Sequence, residues 1–180
     1  PVEELQFFGL RPDASVIEIW PGGGYWTQIL GPYLHDKGRY TLALGPEDGA
    51  GSTFTKMQAA HPELKGTFRT TQFDGEHLDF APPESTDFVL TFRNLHNWME
   101  AGNVEQMLGG GRFDYVIDAI DNVPAKVAMI AWCRKNGMPM VTIGSAGGQI
   151  DPTQIEIRDL CRTEQEPLLA KVRKRLRSRH

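Results

Sequence analysis

Two stretches of this chain gather side chains able to do chemistry. In SVIEIWPGGGYW, 15–26, a branched run delivers the carboxylate of Glu18 and is followed at once by Gly22, Gly23 and Gly24. Glycines let backbone N–H groups approach a ligand, and a helix beginning just behind them favours an anionic or nucleotide-like group. Glu18 can accept from an amine or a hydroxyl. The same residues also describe an ordinary strand–turn–helix joint. In RNLHNW, 93–98, Arg93, Asn94, His96 and Asn97 stand beside Trp98 at the end of an apolar run, where open α/β sheets place ligands. His96 and Asn94 are the candidate catalytic residues there. An imidazole titrates near neutrality and can serve as a base, although a structural histidine fits the same pattern. Neither Cys133 nor Cys161 belongs to a C-x-x-C pair or a Cys/His cluster with zinc spacing, so no metal site is expected.

These groups need a frame, and the periodicity supplies one. Strands are expected at 15–20, 39–44, 66–73, 87–92, 113–120, 138–144 and 154–160. Between them, apolar spacing predicts helices at 25–35, near 54–61, near 100–108, over 123–136 and over 163–178, with a short leading helix at 3–8. Pro124 suits a helix's first turn, and Gly137 a helix end. Strands alternating with helices predict an α/β fold: a three-layer, doubly wound, mostly parallel Rossmann-like sheet of about six or seven strands. One domain over 1–180 is expected, with segments 1–108 and 113–180 sharing one sheet.

Composition narrows the class. The 180 residues are 40% hydrophobic and 23% charged, with 19 glycines, 12 prolines and 2 cysteines. That excludes a disordered chain, a collagen-like chain and a disulfide-built scaffold. The net charge of -4 is unevenly spread. Residues 171–180 carry six Lys or Arg and no acid, while the other 170 hold 13 basic and 23 acidic side chains. Val172 and Leu176 continue an apolar spacing from Leu168 and Leu169, so the tail reads first as a helix end on a core, with RNA or another acidic partner left open. No run of 18 apolar residues occurs and the N-terminus lacks a basic flank, so no membrane is expected and a cytoplasmic monomer or homodimer is the default.

The phrase EIWPGGGYW, with TFRNLHNWM at 91–99, resembles a bacterial family of class I S-adenosylmethionine-dependent methyltransferases over roughly residues 1–108. The resemblance implies S-adenosylmethionine as cofactor, with Glu18 and Gly22–Gly24 around its methionine portion and sugar. The acid expected at the second strand's end is absent at Leu44–Gly45–Pro46. Glu47 and Asp48 lie just beyond and stand in for it, and Asp74 is placed to meet the adenine amine.

Residues 113–176 resemble a different family. DAIDN at 118–122, GSAGGQIDPT at 144–153 and the basic terminal helix are similar to the later part of E1-like adenylating enzymes, and among them to the tRNA threonylcarbamoyladenosine dehydratases. That resemblance implies ATP with magnesium, held beside Asp121, and activation of a carboxylate by AMP transfer. The G-x-G-G-x-G loop, ribose acid and triphosphate cations of that family have no counterpart before residue 112. Two resemblances meeting near 108–113 imply a recombined or designed chimera. The leading expectation is a methyltransferase-like domain with a partial S-adenosylmethionine pocket. The alternatives are an ATP-dependent adenylating or tRNA-modifying enzyme, and an α/β scaffold with no selected function.

Overall fold

In a computed structural model, which describes residues 5–6, 9–111, 113–145, 147, 151 and 155–178, the chain divides into two compact units, Pro1–Arg112 and Phe113–His180. In the first, the expected alternation appears as β1 (Ser15–Ile19), α1 (Thr27–Leu34), β2 (Arg39–Leu44), α2 (Thr53–Ala60), β3 (Arg69–Gln72), β4 (Phe88–Thr91), α3 (Leu95–Glu100) and α4 (Val104–Gly109). The four strands form one sheet in the order β3-β2-β1-β4, and every pairing is parallel. The second unit contains β5 (Val116–Asp118), α5 (Val123–Lys135), β6 (Met140–Thr142) and α6 (Pro167–Arg177), with β5 and β6 also parallel. The fold is therefore α/β and Rossmann-like, with six parallel strands among the described residues.

Strand β1 is flanked on both sides, with Glu18 in register with Leu42 of β2 and Leu90 of β4. Its Val16, Ile17, Glu18 and Ile19 are accordingly all buried, as a central parallel strand covered on both faces requires, with Glu18 the one polar member. Leu30 and Leu34 of α1, Leu42 of β2 and Phe54 of α2 complete this core. Each such side chain contributes about 1.5–3 kcal/mol on burial. Several glycines are favoured by close approach, two of them in the glycine loop and just past the end of β2. A Cβ on Gly24, whose φ is +72°, would lie 2.3 Å from the Met57 methyl, and one on Gly45 would lie 2.6 Å from the Trp20 indole. In the second unit, Val127 and Ile130 of α5 pack on Val172 of α6.

Several expectations change. DFVLTF is half-buried, because β4 ends the order of its sheet and has one strand neighbour there. RNLHNW does not trail from that strand but turns into α3, after Arg93 at φ 65°. FDYVIDAI shortens to three strand residues, with Tyr115 and Ile117 more than half exposed. Residues 155–159 form no strand: Ile155 and Ile157 are 80% and 90% exposed, so an alternating pattern there has no partner to pair with among the described residues. Gln154 and most of GSAGGQIDPT lie outside the described residues, as does most of the leading helix at 3–8. No described helix is long and apolar enough to cross a membrane.

Candidate functional site

In the first unit, the glycine loop follows β1 and leads into α1. Side chains added at Gly22 or Gly23 would meet no atom within 4 Å, so this loop's backbone is open. Glu18 is not open. It is 2% exposed, and one carboxylate oxygen accepts from the Thr27 hydroxyl at 3.0 Å and from the Tyr40 hydroxyl. Burial pushes its pKa up, against the pull of those two donors. It therefore joins β1, α1 and β2 inside the core instead of facing a ligand.

The remaining candidates of that unit are scattered or already committed. Glu47 is exposed, whereas Asp48 turns inward, 7% exposed, and accepts from the Gly45 N–H at 2.9 Å. Asp74 accepts from the N–H groups of Glu76 and His77, both at 2.8 Å, and these donors hold its carboxyl below the usual range. It closes its own turn. Asn94 is buried and its amide donates to the Ile19 carbonyl at 2.8 Å and the Thr91 hydroxyl at 3.0 Å, which pins the end of β4 to the end of β1. His96 is exposed on α3. Asn94 and His96 are thus neighbours in sequence with opposite surroundings, one clamping backbone and one facing solvent.

The second unit builds a tighter constellation. Strand β5 ends at Asp118, α5 starts at Val123, and Asp121 lies between them, exposed and with no hydrogen bond or ion pair among the described residues. Its neighbour Asn122 caps α5, the side-chain oxygen accepting from the Ala125 N–H at 3.0 Å. Behind this connection, Lys126 is completely buried. Its ammonium donates to Asp118 Oδ2 at 3.0 Å, to Thr142 Oγ1 at 2.9 Å and to the Ile143 carbonyl at 2.9 Å. The Thr142 hydroxyl donates to the same Asp118 oxygen at 2.7 Å. Beyond β6, Glu166 accepts from the Ser145 N–H at 2.8 Å with one oxygen and from the Leu169 N–H, in the first turn of α6, with the other.

Lys126 and Thr142 are absent from the sequence expectation, whereas Glu166 reads from sequence as an acid favouring the start of the last helix, which it caps. One signal was available for the lysine: position 126 lies on the face of α5 that Val123, Val127 and Ile130 make apolar, and a lysine there needs a buried partner. Nothing local marks Thr142 or the clasp made by Glu166.

Asp121 is the carboxylate of this connection that stays exposed. Magnesium is commonly held by one or two carboxylates, with phosphate oxygens and water completing the shell. No group of three or more potential metal-ligating side chains occurs among the described residues.

Comparison with known proteins places these residues in context. No family model matches the chain. The tRNA threonylcarbamoyladenosine dehydratase of Escherichia coli is 59% identical over 84 residues, covering 47% of this chain and 31% of that protein. The enzyme of the same name from Haemophilus influenzae is 42% identical over 125 residues, 68% of this chain and 46% of its own length. This chain thus spans less than half the length of either relative. A solved structure of the Escherichia coli dehydratase with AMP aligns over 98% of this chain and 72% of that one at 30% identity, with a TM-score of 0.43.

These findings correct the reading of two joined families. A 125-residue match is longer than residues 113–180 can hold, so the similarity to dehydratases runs well into the front half. The chimera, the engineered origin and the methyltransferase assignment are withdrawn. S-adenosylmethionine goes with them, since only the methyltransferase resemblance implied it and the curated relatives that match are dehydratases. Glu18, Gly22, Gly23, Gly24, Glu47 and Asp74 lose their assigned ligand. Glu18 and Asp74 are accounted for by the core and the turn they hold.

Proposed function

We propose that this chain performs the ATP-using chemistry of a tRNA-modifying dehydratase, with Asp121 as the carboxylate that receives magnesium and nucleotide. The observation that carries the reading is Asp121 itself. It is an uncommitted acid at the end of a parallel strand, in the DAIDN phrase, on a chain 59% identical over 84 residues to a tRNA threonylcarbamoyladenosine dehydratase. ATP supplies activation of a carboxylate by transfer of AMP, with pyrophosphate leaving. The protein's part is to hold the metal at Asp121, just past the strand end. Asn122 and the first turn of α5 fix the backbone on its far side.

The outward face of α6 supports contact with RNA. Lys171, Lys174 and Arg175 are exposed there, opposite the buried Leu169 and Val172. A cytoplasmic setting agrees with both substrates and with the exposed free thiol of Cys161.

Titration calorimetry with ATP and magnesium tests the nucleotide reading. The wild-type chain is expected to bind, and Asp121→Asn to weaken binding at least about tenfold, as loss of a charged metal contact does. Equal affinity in the variant rejects the role of Asp121. No binding by the wild type at millimolar nucleotide rejects the enzyme reading.

A further inference from the structure

The connection that carries Asp121 is closed into a ring by the buried side chains of Asp118 and Lys126 and by one backbone hydrogen bond in the first turn of α5. On its near side, the second oxygen of Asp118 accepts from the Ile120 N–H at 2.9 Å, fixing the backbone just before Asp121. On its far side, the Lys126 N–H donates to the Asn122 carbonyl at 2.9 Å, fixing the backbone just after it. The ion pair between Asp118 and Lys126, at 3.0 Å with both side chains fully buried, joins the two sides. The neighbouring strand end is tied to the same knot. The Ile143 N–H donates to the Asp118 carbonyl at 2.8 Å, and the Ile143 carbonyl receives the Lys126 ammonium at 2.9 Å.

A buried ion pair is not explained by stability alone. Desolvating both charges costs several kcal/mol, and a well-packed apolar pair of similar volume is often as stable or more so. What the pair supplies here is geometry. Beyond the contact between the two charges, four hydrogen bonds converge on the Lys126 ammonium and the Asp118 carboxylate: one from the Ile120 N–H beside Asp121, two with the Thr142 hydroxyl and one to the Ile143 carbonyl at the end of β6. The pair is neutral as a unit, so the negative charge left at this strand end is that of Asp121.

We infer that Lys126, through its buried pair with Asp118, is a positioning residue that holds the Asp121 carboxylate in place for a metal-bound nucleotide triphosphate. This rests on the nucleotide reading above. Lys126 touches neither metal nor nucleotide. It acts by limiting the conformations of residues 119–122, so its removal spreads Asp121 over orientations that do not bind.

The test is a double-mutant cycle in magnesium-dependent ATP binding. The perturbed chain carries Asp118→Asn with Lys126→Met, which removes the pair and leaves no orphaned charge, so the fold is expected to survive. It is measured with and without Asp121→Asn. With Asp121 present, affinity is expected to fall about tenfold, the usual cost of removing a group that orients a metal-binding residue. With Asn at 121, the same change should cost nothing further, because the group being oriented is gone. Equal affinity in the folded perturbed chain, or an equal loss in both backgrounds, overturns the inference and leaves the nucleotide reading standing. Absence of ATP binding by the wild type overturns both. Should the paired variant not fold, Thr142→Val withdraws the hydroxyl that bonds both Lys126 and Asp118 and keeps the ion pair. It is expected to weaken binding about threefold in the Asp121 background only, and additivity there refutes the inference as well.

Discussion

The basic face of α6 makes a quantitative claim on RNA binding. Leu169, Val172 and Leu176 turn toward the second unit's core, so at 3.6 residues per turn Lys171, Lys174 and Arg175 form the opposite stripe, about 6 Å long along the axis. All three are exposed and none forms an ion pair among the described residues. Arg173, by contrast, is drawn back to the Leu160 carbonyl and the Thr163 hydroxyl, and contributes less. The perturbation is therefore Lys171→Gln with Lys174→Gln and Arg175→Gln.

Each phosphate neutralised on a duplex contributes about 0.9 to the slope of log affinity against log salt. Three cations thus account for a slope near about -2.7, and raising salt fourfold costs that interaction about 40-fold. Fluorescence anisotropy with labelled tRNA, read across a salt series, measures both quantities. The variant should bind more loosely at low salt and lose most of its salt dependence. It should stay folded, because these side chains contribute at most about 1 kcal/mol by complementing the helix C-terminus. A variant line parallel to and level with the wild type refutes the RNA-facing role. Equal displacement of tRNA by polyglutamate would assign the stripe to acidic protein instead.

Two predictions concern the first unit. Glu18 has a pKa raised by burial from its ordinary value near 4.5, so the folded state holds its proton more tightly than the unfolded state does. Its contribution to stability is full below about pH 4.5 and is lost as pH rises through the elevated folded value, about 1.4 kcal/mol for each unit of difference. Denaturant unfolding followed against pH should show this slope, and Glu18→Gln should flatten it; an unchanged slope would count against a buried, protonating Glu18. Gly24→Ala forces a Cβ against Met57 at a left-handed φ of +72° and should destabilise by about 1–3 kcal/mol. A thermal melt at the wild-type temperature would show that the loop relaxes without cost.

The order of elements was legible because the frame is repetitive. RYTLAL was bounded by turn residues and became β2 over the same six residues. Pro124 and Gly137 bracketed α5 as their backbone preferences require. Boundaries failed where burial depends on distant chain: DFVLTF reads as a central strand, yet whether it has one strand neighbour or two is not written in its own residues. The site failed for a related reason. A strand, a glycine turn and a helix together say that a ligand can be met at that place, but not which one, since many chemistries share such sheets. PGGG therefore reads as a methyl-donor loop on local resemblance. Glu18 reads as a ligand from sequence alone, where nothing marks its partner Tyr40, 22 residues on and on the next strand. DAIDN was more informative because its two acids differ in kind once placed. Asp118 is consumed by Lys126 and Thr142, and Asp121 is left over. That division is decided by a lysine on the apolar face of the following helix. A carboxylate pair with a lysine a few residues on, at a position that should be apolar, is thus a pattern from which one structural and one available acid can be told apart before any coordinates are known.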